Sequence, residues 1–158
     1  MRGDDFKHMN TNDIDYITLL SIEEYEKAKD YIPHTYNCWW LSSRGIYGAV
    51  VFVDGYVNRI CDKYYCVSKE YGVRPALKIK NEKHIGCCYS PGDQIDICGV
   101  MWTVLPGDIL LCNDIIGECA FRKDWRASDA NDYEVSDIKK WIESWWDEKK
   151  KQKKADKE

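Results

Sequence analysis

A chain of 158 residues, 44% hydrophobic and 13% aromatic, suits one domain of ordinary size and is too apolar for a disordered segment. Its formal charge of −4 hides an asymmetry: the last ten residues carry six Lys against two acids, so the body before them stands at −8. Such a body argues against nucleic-acid binding, which needs clustered Lys and Arg, and no run of about 20 apolar residues offers a membrane span.

The polar opening Met1-Arg2-Gly3-Asp4-Asp5 does not read as a signal peptide. The chain is therefore expected in the reducing cytoplasm, with its eight cysteines (38, 61, 66, 87, 88, 98, 112 and 119) as free thiols. Four disulfides in an exported protein is the alternative.

In chain order, residues 1–13 are polar and expected to be loose. Asp15 to Leu20 reads as a buried strand. Ser21 and Glu24 form a capping box that opens a helix, with Ile22, Tyr25, Ala28, Lys29 and Ile32 as its stripe and Pro33 as its stop. After the apolar run Cys38 to Leu41, Ala49–Val53 is a strand, Asp54-Gly55 a tight turn and Tyr56–Ile60 the return. Val73 to Ile79 is a further strand, with Pro75 tolerated at an edge or bulge.

Asn81 to Gly92 is a connector. Gln94–Cys98 alternates as a strand, Gly99 turns the chain, Met101–Leu105 is a strand, Pro106–Asp108 a turn and Ile109–Cys112 another strand. Residues 122–134 read as a surface loop. Ser136 caps the last helix, where Ile138, Trp141, Ile142, Trp145 and Trp146 fall on one face. Trp141 is expected to be a buried anchor of that face. The lysines from 149 onward read as the solvated, fraying end of this helix.

Trp39-Trp40-Leu41-Ser42-Ser43-Arg44-Gly45, followed by Ala-Val-Val-Phe-Val, Asp-Gly-Tyr-Val and then Gly72-Val73-Arg74-Pro75-Ala76-Leu77, resembles an uncharacterised bacterial and phage domain family. That family has a WWLRSPG-like segment leading into GVRPAL. It is similar in turn to C-type-lectin-like folds, including formylglycine-generating enzymes and the variable proteins of diversity-generating retroelements. A second segment also resembles it: Gly92-Asp93, Gly99, Trp102-Thr103-Val104-Leu105, Leu110-Leu111 and Ser136 to Trp141 look like the family's usual opening. In the family that opening comes first; here it comes last. Together the two segments cover roughly residues 14 to 146. Ser42 stands where the family usually has Arg, and Arg44 where it has Pro.

The resemblance implies an α+β, C-type-lectin-like fold of small twisted antiparallel sheets with two helices, circularly permuted. Its expected limits are a loose 1–13, a single domain over 14–148 and a basic tail over 149–158. The connector Asn81 to Pro91 is expected to join neighbouring strands as a hairpin loop. A swapped homodimer exchanging the two halves is the alternative to a permuted monomer. Trp39, Trp40, Arg74, Trp102 and Trp141 are expected to be structural, Arg74 as a hydrogen-bond hub for loop carbonyls.

Chemistry is sparse. Cys61 and Cys66 resemble the copper-binding thiol pair of formylglycine-generating enzymes, and two thiolates suit Cu(I). With eight cysteines a chance pair is the simpler reading, so no metal and no cofactor is assigned. His84, Cys87, Cys88 and Cys98 lack zinc spacing. His8, His34 and His84 are the only histidines, none in a nucleophile or metalloprotease motif, and no phosphate loop occurs. The calcium-lectin triplets E-P-N and W-N-D are absent.

In lectin-like folds the stretch between the two signatures forms the ligand face. Here it holds Ser43, Arg44, Tyr47, Asn58, Arg59, Asp62, Tyr64 and Tyr65, with Ile46 and Lys63 among them. Tyr and Arg set among Asn and Ser are the composition of a protein-binding patch. The sequence therefore predicts a non-enzymatic binding module for a protein partner, with a carbohydrate as the other ligand class and neither nucleic acid nor membrane. Two alternatives stand beside it: a copper-thiolate enzyme, and a structural domain acting as a swapped dimer.

Overall fold

The computed structural model describes residues 9, 11–44, 50–54, 59–63, 68–80, 89–124, 126, 129 and 132–157. In chain order these form β1 (Ile14–Thr18), α1 (Ile22–Ala28), β2 (Trp39–Arg44), β3 (Val50–Asp54), β4 (Arg59–Lys63), β5 (Glu70–Val73), β6 (Ala76–Ile79), β7 (Gln94–Ile97), β8 (Val100–Leu105), β9 (Ile109–Cys112), β10 (Gly117–Ala120) and α2 (Asp137–Lys157). The architecture is α+β. One sheet runs β1-β6-β9-β8-β7 and is antiparallel throughout. The other runs β10-β5-β2-β3-β4 and is mixed, because β2 and β5 pair in parallel with Trp39 opposite Gly72. The expectation of purely antiparallel sheets is corrected there.

Local signals set several elements. The Ser21 hydroxyl accepts from the Glu24 amide, and the Glu24 carboxylate accepts from the Ser21 amide (2.9 Å), so both orphan donors of the first turn of α1 are satisfied. The helix is shorter than its apolar stripe. It ends at Ala28 and tightens into a 3-10 turn over Lys29–Tyr31 before Pro33. Between β7 and β8, Cys98 and Gly99 both take positive φ (56° and 77°), a two-residue primed turn that matches strand twist.

The strand predicted over Val73–Ile79 is two strands in two sheets. β5 belongs to the mixed sheet and β6 to the antiparallel one, and Arg74-Pro75 is the crossing point. Pro75 has no amide to give a ladder, so neither sheet can run through it. Its carbonyl still serves, accepting from the Cys112 amide at 2.9 Å.

Other expectations shift as well. Asp54 pairs with Arg59 and Val53 with Ile60, while Gly55, Tyr56, Val57 and Asn58 lie outside the described residues. The connector beyond Asn81 does not close a hairpin: β6 pairs with β1 and β9, and β7 lies at the far edge beyond β8. Strand β10 has no counterpart in the sequence reading. Thr11–Asp13, expected to be loose, is a 3-10 turn whose Asp13 carbonyl accepts from the Lys80 amide (3.0 Å). The lysine-rich end is helical to Lys157, with Lys149 Nζ 5.8 Å from the Trp145 ring centroid and Lys150 Nζ 6.0 Å from that of Trp146.

Two apolar cores result. The first gathers Leu77, Ile95, Trp102, Val104 and Leu110 from one face of the antiparallel sheet with Trp40, Val73 and Phe121, and α2 contributes Ile138, Ile142 and Trp146. The second gathers Ala76, Leu105, Ile109 and Leu111 from the other face with Leu20, Tyr25, Ala28, Trp39, Leu41 and Val53. Every residue of β9 is buried, as an unbroken apolar run predicts for a strand covered on both faces. The adjacent tryptophans divide the same way, Trp40 entering the first core and Trp39 the second. Trp141 is only part-buried; Trp146 takes the anchoring place expected of it. No helix among the described residues is long and apolar enough to cross a membrane.

Candidate functional site

Arg74 occupies the crossing between the sheets and is 1% exposed. Its Nε donates to the Cys112 carbonyl (2.8 Å), and its Nη2 donates to the Pro33 and Asn113 carbonyls (2.8 Å each). Its guanidinium carbon lies 5.0 Å from the Trp39 ring centroid. One side chain thus ties the 33–38 connector, the exit of β9 and the mixed sheet together. A planar cation with several fixed donors can do this, and an ammonium cannot. Burial lowers its pKa to about 10, which leaves it charged at neutral pH. Nε and Nη2 of Arg74 are thus committed to backbone carbonyls of the protein itself.

The WWL segment is held from both sides. Trp40 Nε1 donates to the Cys119 carbonyl (2.8 Å), and its ring meets Tyr71 (4.9 Å between centroids) and Phe121 (5.5 Å). The Tyr25 ring meets Trp39 edge-on at 5.8 Å. Trp102 meets Trp145 and Trp146 at 6.3 and 6.0 Å.

The residues predicted to bind fare differently from one another. Ser43 is half-buried, and its hydroxyl accepts from the Ile22 amide (2.8 Å), pinning the start of α1 to β2. Ser42 repeats the contact one residue earlier, its amide donating to the Leu20 carbonyl (2.8 Å). Arg44 ends β2 opposite Val50; Arg59 and Asp62 lie on β4, the edge of the mixed sheet, opposite Asp54 and Val51. Tyr47, Asn58, Tyr64 and Tyr65 lie outside the described residues. Ser43, Arg44, Arg59 and Asp62 therefore share the β2-β3-β4 end of one sheet, and Ser43 there is committed to the fold.

Cys61 lies on β4 opposite Phe52, and Cys66 lies outside the described residues, as do His8, His84, Cys87 and Cys88. Among the described residues no three His, Cys, Asp or Glu side chains gather into a metal-binding group. Cys112 and Cys119 are buried free thiols. Burial pushes the Cys112 thiol up to about 11 and raises that of Cys119, so neither is a ready nucleophile. The His34 and Tyr36 rings meet at a tilt of 51°, with centroids 4.8 Å apart.

The sequence reading treated 29–38 as helix end and connector. In the structure this stretch supplies Tyr31, His34 and Tyr36 to the surface. A Pro flanked by polar aromatic residues was the available signal. No family model, curated protein or solved structure matches the chain.

Proposed function

We propose that the chain is a non-enzymatic binding module of C-type-lectin-like type, circularly permuted, which presents its 43–65 stretch to a protein partner. The observation that carries the reading is the shared interior around Arg74. Val73 of the GVRPAL segment and Ile138, Ile142 and Trp146 of the Trp helix pack in one core. Arg74 itself bonds to the Pro33 carbonyl of the front half and to the Cys112 and Asn113 carbonyls of the back half. Two halves that resemble the front and back of one family thus meet in one body, as a permuted order requires.

The β6-to-β7 connection favours a single chain over exchange between two copies. These strands stand three places apart in their sheet, about 14 Å at ordinary strand spacing, and residues 80–93 are ample to cover that distance. A second light-scattering species that grows with concentration and melts as a unit would point to exchange instead.

The acidic body suits a basic partner, and the resemblance to phage-borne domains extends the reading to an inhibitor of a host defence protein. The test compares the native chain with a Tyr47→Ala, Arg59→Ala, Tyr64→Ala variant as immobilised bait, with melting temperature as the folding control. A partner held by the native chain and released by the variant supports the reading. A partner held equally by both overturns the assignment of the face.

A further inference from the structure

The connector between α1 and β2 builds a second surface. Its 3-10 turn brings the Tyr31 ring to 3.8 Å from the position a Cβ on Gly92 would take, and the Gly92 amide donates to the Val104 carbonyl (2.8 Å). Two residues on, the Pro33 carbonyl accepts from Arg74, which also holds the Asn113 carbonyl. The Asn113 amide in turn donates to the Met101 carbonyl (3.0 Å). The connector is thereby drawn along β8, from its Val104 end to its Met101 end.

Side chains alternate along β8, so Met101, Thr103 and Leu105 share a row. Leu105 is covered by α1 and its neighbours in the second core, and the row runs out at Met101, which is 41% exposed. On the connector Tyr31 and Tyr36 are 44% and 72% exposed, and the His34 and Tyr36 rings lie 4.8 Å apart, tilted by 51°. The rim is acidic. Asp30 precedes Tyr31, Asp93 follows Gly92, Asp96 pairs with Met101 across the ladder, and Asp114 follows Asn113; all four are exposed, and one oxygen each of Asp93 and Asp96 accepts from the Ser90 and Gly99 amides. The neighbouring Lys29 is already paired with Glu26 at 3.2 Å.

We propose that this extended surface, running from Tyr31 at the Val104 end of β8 toward Met101 at the other, docks an arginine-rich segment of a protein partner. A guanidinium lies flat on tyrosine and histidine rings and is attracted by their faces, and it forks onto carboxylates at the rim. The Met101 thioether adapts to the aliphatic stem. The −8 charge of the body steers a cationic segment toward the site. An anionic ligand would meet four carboxylates.

The test uses the full chain and a short fluorescein-labelled Gly-Arg-Ser repeat peptide, titrated by anisotropy at about 150 mM salt, where long-range attraction is screened. Tyr31→Ser with Tyr36→Ser should weaken binding about tenfold, with an unchanged melting temperature because both rings are exposed. Asp93→Asn with Asp96→Asn should weaken it severalfold and flatten its salt dependence. Glu143→Gln with Asp147→Asn removes the same charge from α2, on the opposite face of the antiparallel sheet, and should change affinity less than about twofold. The proposal is overturned if the tyrosine variant binds like the native chain, or if the α2 variant loses as much as the Asp93/Asp96 one. Tyrosine-dependent binding of a neutral oligosaccharide in place of the peptide also overturns it. The Tyr47/Arg59/Tyr64 variant should bind the probe like the native chain, so this outcome is independent of the 43–65 reading.

Discussion

The guanidinium of Arg74 sits over the indole of Trp39, 5.0 Å from centroid to carbon, with both side chains at most 2% exposed. A buried charge of this kind is tolerated only when hydrogen-bonded, and three carbonyls from two parts of the chain provide those bonds. Arg74→Met keeps the volume and the contact with Trp39 but leaves the Cys112, Pro33 and Asn113 carbonyls without this donor. At about 1–3 kcal/mol for each orphaned group, a loss of at least about 3 kcal/mol is expected. Arg74→Lys restores a charge but not the fork, so it should recover only part. Urea denaturation checks both, and a midpoint for Arg74→Met within about 1 kcal/mol of the native chain would show that the hub is dispensable.

Gly72 faces Trp39 across the parallel junction of β5 and β2. A Cβ there would lie 2.7 Å from the Cys38 carbonyl oxygen and 2.8 Å from Ile115 Cγ2. The first of these is backbone and is already held by the Gly72 amide at 2.8 Å, so it cannot step aside without breaking that bond. Gly72→Ala should therefore destabilise by about 2–3 kcal/mol, the range for overpacking a filled site. Gly99→Ala is a useful contrast: no atom stands within 4 Å of its Cβ, and only its φ of +77° opposes the change. Equal, small losses for both, measured by thermal melting, would mean the junction relaxes.

What was legible in the sequence was local. The Ser21/Glu24 box, the turn at Gly99 and the last helix are each decided within a few residues and lie where expected, although the turn also takes in Cys98. The division of Val73–Ile79 was only half legible: Pro75 marked an edge or bulge, but only the separate partners of β5 and β6 assign the two halves to different sheets. β10 was missed for a related reason. Gly117, Glu118, Cys119 and Ala120 have little strand propensity, and pairing with β5 makes them a strand. The candidate sites divide likewise. Ser43 looked like a surface ligand, yet the amide it satisfies lies 21 residues away. The approach of the 29–36 connector to β8 likewise depends on Arg74, which holds the distant Pro33 and Asn113 carbonyls together.

The tryptophans of α2 are unequal. Trp146 is 4% exposed and meets Trp102 edge-on at 6.0 Å, whereas Trp141 is part-buried against Gly117. Trp146→Ala should cost about 3–5 kcal/mol and Trp141→Ala about half of that. Chemical denaturation followed by far-ultraviolet dichroism gives both values. A larger loss at Trp141 would mean that the helix is seated through its N-terminal turn instead.

Cys112 provides a pH test. Burial moves its thiol from an ordinary 9.0 to about 11, so between those values the unfolded chain has lost a proton that the folded chain keeps. A raised acid pKa means stability is intact below pH 9 and is lost as the pH climbs toward 11, by about 2–3 kcal/mol over the full interval. Arg74 acts in the opposite direction. Its pKa is lowered to about 10, so above that value the folded state sheds a proton first and gains stability. Comparison with Cys112→Val cancels this contribution, since Val keeps the backbone bond from residue 112 to the Pro75 carbonyl and titrates nothing. The native chain should lose stability to the variant steadily from pH 9 to pH 11 in guanidinium titrations. Parallel curves over that range would place the thiol in contact with water in the folded state, contrary to its 1% exposure.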